Sequence, residues 1–218
     1  MLIGQRMAGK LRCAPQCLYN NLFEAHVNGN NIEARANMLQ AAYQAGIAFT
    51  RSYVGYVHGI AHSLGGRYGI PHGLANAVIL PHMLRAYGPV AEPKLAELAC
   101  DASIAPAKAD DHTAAQAFIT WIDNMNARLG IPRYLEGINA ADVPPMAAHA
   151  AAESNPLYPV PRLMGAEQLA SMYRVIAGGH FADEPAVRAG EGQRRSTERP
   201  SRVARTAERK VAAWSSKK

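Results

Sequence analysis

Residues 58 to 72 hold three histidines, and their spacing constrains this chain more than any other feature does. The stretch reads Gly55-Tyr-Val-His58-Gly-Ile-Ala-His62-Ser-Leu-Gly-Gly-Arg-Tyr-Gly-Ile-Pro71-His72-Gly73. His58 and His62 lie four apart, so a helix projects both from one face, one turn above the other. Gly65 and Gly66 predict a helix stop, and Pro71 suits the first turn of a new helix. His72 then stands near the start of that second helix, brought back toward the first by a short Gly-rich turn. Neutral imidazole nitrogen is a good ligand for Zn, Fe, Ni or Cu. A lone histidine is more often a packed or hydrogen-bonded core residue, but three around one glycine-rich loop favour a shared site.

Helical signals run through almost the whole chain. Asn30 precedes Glu33 by three, a capping-box-like start, and Ile32, Ala36, Leu39, Tyr43 and Ile47 recur at helical spacing. A second helix carries His58 and His62. A third begins near Pro71 with Leu74, Ala77, Val78 and Leu80 apolar, and Pro81 predicts a kink or an end. Another spans about Thr113 to Leu129, with Phe118, Trp121, Ile122 and Met125 inside and Gly130 and Pro132 as its stop. Asp142 is the predicted cap of a segment opened by Pro144 and Pro145, and Glu167 to Ile176 reads as the last helix. Residues 155–161 hold three prolines and read as an extended connector. The predicted fold is an all-α helical bundle with no strand and no internal repeat.

Composition narrows the function classes. Hydrophobic residues make up 49% of the 218, enough for a core, while the apolar runs are broken too often for a membrane span. Met1-Leu-Ile-Gly-Gln-Arg-Met is too short and too soon interrupted for a secretory signal. Cys13, Cys17 and Cys100 give an odd count without zinc-ribbon spacing, so reduced thiols and a cytoplasmic setting are the expectation. The net charge of +6 tempts one toward nucleic acid. Residues 181–218, however, hold ten Lys and Arg against five Asp and Glu, a net of +5, leaving +1 for the remainder. The basicity belongs to a tail without a regular apolar face, predicted to be disordered, and nucleic acid is not the expected partner. The domain reading is a 1–17 N-terminal segment, an 18–180 helical metal-binding domain and a 181–218 basic tail.

The histidine segment, together with Ile70-Pro-His-Gly-Leu-Ala-Asn-Ala-Val-Ile-Leu-Pro81, strongly resembles the signature of the iron-containing (group III) alcohol dehydrogenases. The resemblance continues upstream through Asn31-Ile-Glu-Ala-Arg-Ala-Asn-Met-Leu-Gln-Ala-Ala-Tyr-Gln-Ala-Gly-Ile-Ala-Phe-Thr50. Downstream it takes in Leu129-Gly-Ile-Pro132 and Glu153-Ser-Asn-Pro-Leu-Tyr-Pro-Val-Pro161, and it covers about residues 18–178. It implies the C-terminal helical domain of that family, with His58 and His72 as metal ligands. It also implies Fe2+ (or Zn2+) as metal, NAD or NADP as nucleotide, and a small-molecule alcohol or aldehyde as substrate. His62, not a ligand in the family pattern, is the candidate catalytic residue, able to relay the hydroxyl proton or contact the nicotinamide.

Two family features have no counterpart here. There is no Gly-Gly-Gly-Ser turn for the cofactor pyrophosphate, and the first thirty residues contain no aspartate for the upstream Asp-x-x-x-His ligand pair. The chain therefore reads as the back half of a dehydrogenase, incomplete by itself, with an N-terminal half in trans or a homo-oligomer as possible partner. Two alternatives stand beside it: a non-catalytic helical remnant of a truncated gene, and the half of a metalloenzyme related to dehydroquinate synthase or glycerol dehydrogenase.

Other residues carry plainer readings. Tyr53, Tyr56 and Tyr68 flank the histidines and either line a pocket or pack between helices. His82 reads as a surface residue or a neighbour of the ligands, and His112 as part of a helix cap. His149 and His180 have no evident partners. Cys13 and Cys17 have ligand-like spacing, but nothing nearby completes a site.

Overall fold

The structure is a computed structural model that describes residues 16–106, 108–155 and 157–183. The described residues up to Ala182 form one compact unit. Residues 184–218 of the predicted basic tail and residues 1–15 of the 1–17 segment, including Cys13, lie outside the described residues, while Phe181 is buried in the core. Among the described residues every regular element is helical and there is no strand, as the periodicity predicted.

Helix α1 covers residues 16–27. Helix α2, Ile32–Ser52, is capped by Asn31, whose side chain accepts the Ala34 N–H at 3.0 Å. The cap is thus one residue later than Asn30, because Asn31 is the residue whose oxygen reaches an orphan N–H of the first turn. The inward face of α2 is also not the predicted one. Ala34 and Ala41 are buried, while Ile32, Leu39 and Tyr43 are 72%, 74% and 65% exposed. Asn37, on the alanine face, donates to Asn21 of α1 at 3.1 Å.

Helix α3, Tyr56–Tyr68, runs straight through Gly65 and Gly66 and ends at Gly69. Gly69 has φ of +66°, the left-handed conformation that stops a helix, and its N–H returns to the Gly65 carbonyl at 3.0 Å. Helix α4, His72–Tyr87, starts after Pro71 and continues past Pro81 to Gly88. A proline at 81 cannot donate to the Ala77 carbonyl. Asn126 fills that vacancy from another helix, donating its side-chain amide to Ala77 O at 2.8 Å, so the helix does not end there.

Helix α5, Glu92–Asp101, was not predicted; it packs on α6, Asp111–Arg128, through a small cluster of alanines. Asp110 caps α6 by accepting the Thr113 N–H. Ile122 and Met125 are buried as predicted, whereas Phe118 and Trp121 are half-buried. Helix α7, Val143–Ser154, follows Asp142, and α8 is Ala166–Ile176. The main core joins α3, α4, α7 and α8. Tyr56, Ile60 and Leu64 form one fully buried stripe on α3, met by Ile79 and Met83 of α4 and Leu169, Tyr173 and Ile176 of α8. Spacing of four along α3 keeps that stripe on one side and leaves His58 and His62 on its flank.

Candidate metal and catalytic site

Two helices and one turn assemble the three histidines. His58 and His62 are one turn apart on α3, and the reversal at Gly69–Pro71 sets His72, the first residue of α4, beside them. The ring centres of His58 and His72 are 5.3 Å apart, those of His62 and His72 5.3 Å, and those of His58 and His62 6.0 Å. The rings of His62 and His72 are nearly parallel, at 20°. Burial, then the neighbouring His72 and His62, hold the His58 imidazole below its ordinary pKa, with Glu153 opposing. That bias favours the neutral form, the one with a lone pair to offer.

Each of the other two rings has a fixed partner. Asn76, one turn along α4, donates its amide to His72 Nε2 at 2.9 Å and to the His72 carbonyl at 3.0 Å. His62 Nδ1 lies 2.7 Å from Glu153 Oε1, at the end of α7. Glu153 Oε1 also accepts the Tyr158 hydroxyl at 2.9 Å, and His149 Nε2 lies 3.8 Å from Oε2. Asn76 sat at a legible i+4 spacing from His72. Glu153 was not legible as a partner of His62, because 91 residues separate them and only the packing of α7 on α3 brings them together.

That packing depends on Gly59. A Cβ there would overlap Ser154 Oγ and sit 3.3 Å from the Ala150 carbonyl oxygen, so the missing side chain sets how closely the two helices approach. Two clefts adjoin the cluster. One, of about 570 Å3, is walled by His58 and Asn76 together with Phe49, Tyr53, Leu80 and Val160. The other, of about 400 Å3, is lined by His62, Ser63, Arg67, Asp142 and His149.

The remaining candidates fall into place around these. Tyr53 is exposed at the mouth of the larger cleft, near the Tyr158 ring. Tyr56 is fully buried and packs between helices; its hydroxyl accepts the Met164 N–H at 2.8 Å. Tyr68 donates to Asp142 at 2.7 Å, and Arg67 pairs with the same carboxylate at 2.6 Å. Asp142 therefore precedes α7 without capping it through its side chain, since that side chain is held by α3. Arg67 first, then Tyr68, keep its carboxyl below the usual range. His82 is not at the surface: it is buried, bonded to the Arg133 carbonyl at 3.0 Å and stacked on Tyr134. His112, in the first turn of α6, pairs with Glu92 at 2.8 Å, and His149 does have a partner, in Glu153. Cys17 and Cys100 are free thiols.

Imidazole donors suit a borderline divalent cation. Among the described residues, however, no set of three or more His, Cys, Asp or Glu is arranged to hold a metal ion. His58 and His72 are of a suitable donor type, but no metal site is complete among the described residues.

A helical domain built around this histidine turn defines a class. The chain belongs to the Fe-containing alcohol dehydrogenase family, whose C-terminal part it matches over residues 11–177. It is 38% identical over 167 residues to a 1,3-propanediol dehydrogenase of Klebsiella pneumoniae, covering 74% of this chain and 42% of that protein. It is 36% identical over 134 residues to alcohol dehydrogenase 4 of Saccharomyces cerevisiae, covering 60% of this chain and 34% of the other. A crystal structure of 1,3-propanediol oxidoreductase superposes with a TM-score of 0.72 at 33% identity, over 78% of this chain and 45% of that one. The chain thus spans under half the length of these relatives, and the shared part is the C-terminal helical domain. No helix among the described residues is long and apolar enough to cross a membrane.

Proposed function

We propose that this chain is the metal-bearing helical half of an NAD(P)-dependent alcohol dehydrogenase, converting a small alcohol to its aldehyde or ketone in the cytoplasm. The observation that carries this reading is the convergence of His58, His62 and His72 within 6.0 Å beside an open, largely apolar cleft. His58 and His72 would hold the metal, Fe2+ or Zn2+. When bound, the metal supplies Lewis acidity toward the alcohol oxygen and the nicotinamide accepts hydride.

The chain's own groups account for the rest. His58 is kept neutral by burial and by its histidine neighbours, so it offers a donor nitrogen. Asn76 fixes the His72 ring. His62 takes the hydroxyl proton onto its ring, and the adjacent Glu153 carboxylate stabilises the cation that results. Phe49, Tyr53, Leu80 and Val160 give the reacting carbon an apolar wall to lie against. The pyrophosphate-binding turn and the remaining two ligands belong to a nucleotide-binding half that these 218 residues do not contain.

Titration calorimetry with Zn2+ and, under anaerobic conditions, Fe2+ tests the reading. We expect binding that weakens by at least about tenfold in His58→Ala and in His72→Ala, since each removes one of few ligands. NAD(P)-linked alcohol oxidation should be weak for the chain alone. It should rise on mixing with the separately produced N-terminal half of the Klebsiella relative. Metal binding indifferent to both histidines would sink the assignment.

A further inference from the structure

We propose that Glu153 is the positioning residue of His62: its carboxylate fixes the ring as the Nδ1–H tautomer and leaves Nε2 as a lone pair able to take a proton. This rests on the reading of His62 as the proton acceptor. Three observations support it. The 2.7 Å contact is to Nδ1 and to no other ring atom, and a carboxylate accepts but does not donate, so the shared proton sits on His62 Nδ1. The carboxylate is itself held, because the Tyr158 hydroxyl donates to the same Oε1 at 2.9 Å and Glu153 is only 22% exposed. Its backbone is also held, because the neighbouring Ser154 is completely buried against Gly59, one turn before His62.

The opposite edge of the ring carries the consequence. The His62 ring centre lies 5.3 Å from that of His72 and 6.0 Å from that of His58, so a ring tied at Nδ1 keeps its Nε2 lone pair on a member of the cluster. His62 Nε2 makes no hydrogen bond among the described residues. In the proton step an alcohol O–H bond breaks and an Nε2–H bond forms. The imidazolium left behind keeps its Nδ1–H on Glu153. This division of labour is that of an acid–base histidine oriented by a carboxylate. Sequence spacing gave no hint of it, since Glu153 belongs to a helix that reaches α3 only in the folded chain.

Nitrogen-15 NMR of the histidine rings in the full chain, at a pH where imidazole is neutral, reads the tautomer directly and needs neither metal nor nucleotide. We expect wild-type His62 as Nδ1–H. Glu153→Gln should return it toward the Nε2–H form that a free imidazole prefers, and Glu153→Asp should restore Nδ1–H in part. In the complemented enzyme, Glu153→Gln should lower kcat by about tenfold or more with KM within about twofold. The wild-type spectrum is a test by itself, so a poorly folded variant does not shield the claim. An Nε2–H ring in the wild type, a tautomer unmoved by Glu153→Gln, or a kcat unmoved when the tautomer flips would each overturn it. Failure of the dehydrogenase reading is seen separately, as metal binding indifferent to His58 and His72, with the tautomer result standing.

Discussion

Gly59 of α3 lies against Ser154 of α7 with no space for a methyl group between them. Ser154 Oγ is buried and finds no hydrogen-bond partner among the described residues, so the contact is one of shape. We expect Gly59→Ala to lower stability by about 1–3 kcal/mol through overpacking, outweighing the roughly 1 kcal/mol that alanine gains in a helix. Ser154→Ala should relieve the clash, so the double variant should recover much of the loss in thermal unfolding. Equal stability of Gly59→Ala and wild type would show that α7 yields freely.

Tyr56 is the buried pin of the α3 start. Its hydroxyl accepts the Met164 N–H at 2.8 Å and donates to Asn155 at 2.5 Å, which in turn donates to the Met164 carbonyl at 3.0 Å. Tyr56→Phe strands a buried backbone N–H and should cost about 1–3 kcal/mol. Urea titration monitored by circular dichroism should show a lower midpoint with an unchanged slope.

The Asp142 link between α3 and α7 should titrate. Its folded-state carboxyl is held below the ordinary value by Arg67 and Tyr68, so the unfolded chain binds the proton more readily. The contribution is then fully present above the unfolded pKa and is lost as pH falls through the folded one. We expect the melting-temperature gap between wild type and Asp142→Asn to hold from neutral pH down to about 4 and to shrink below that. A gap that widened on acidification would contradict the assigned sign.

Asn126 and Pro81 should be coupled through the Ala77 carbonyl. Asn126→Ala leaves that carbonyl without its side-chain donor and should destabilise by about 1 kcal/mol or somewhat more. In a Pro81→Ala background the backbone N–H returns, so the same substitution should matter less. A double-mutant cycle by thermal unfolding measures the difference, and strict additivity would refute the link.

The sequence alone determined most of the helices, the all-α class and the family, because helical periodicity and capping residues act locally. Gly130 and Pro132 after α6 and the i+4 pairing of His58 with His62 work within a few residues of where they stand, whereas α3 ends at Gly69 and not at the expected Gly65 or Gly66. It also brought His58, His62 and His72 to one place, since a single turn joins the two helices that carry them. Tertiary structure decided the rest. It chose which face of α2 is covered: Ala34 and Ala41 are buried while the larger Ile32 and Leu39 stay exposed, a choice that the periodicity of α2 does not encode. It carried α4 past Pro81 with a donor from α6, buried His82 under Tyr134, and took Asp142 away from its own helix. Glu153 reaches His62 for the same reason: a bond across 91 residues exists only once α7 has settled on Gly59, and no local pattern encodes that contact.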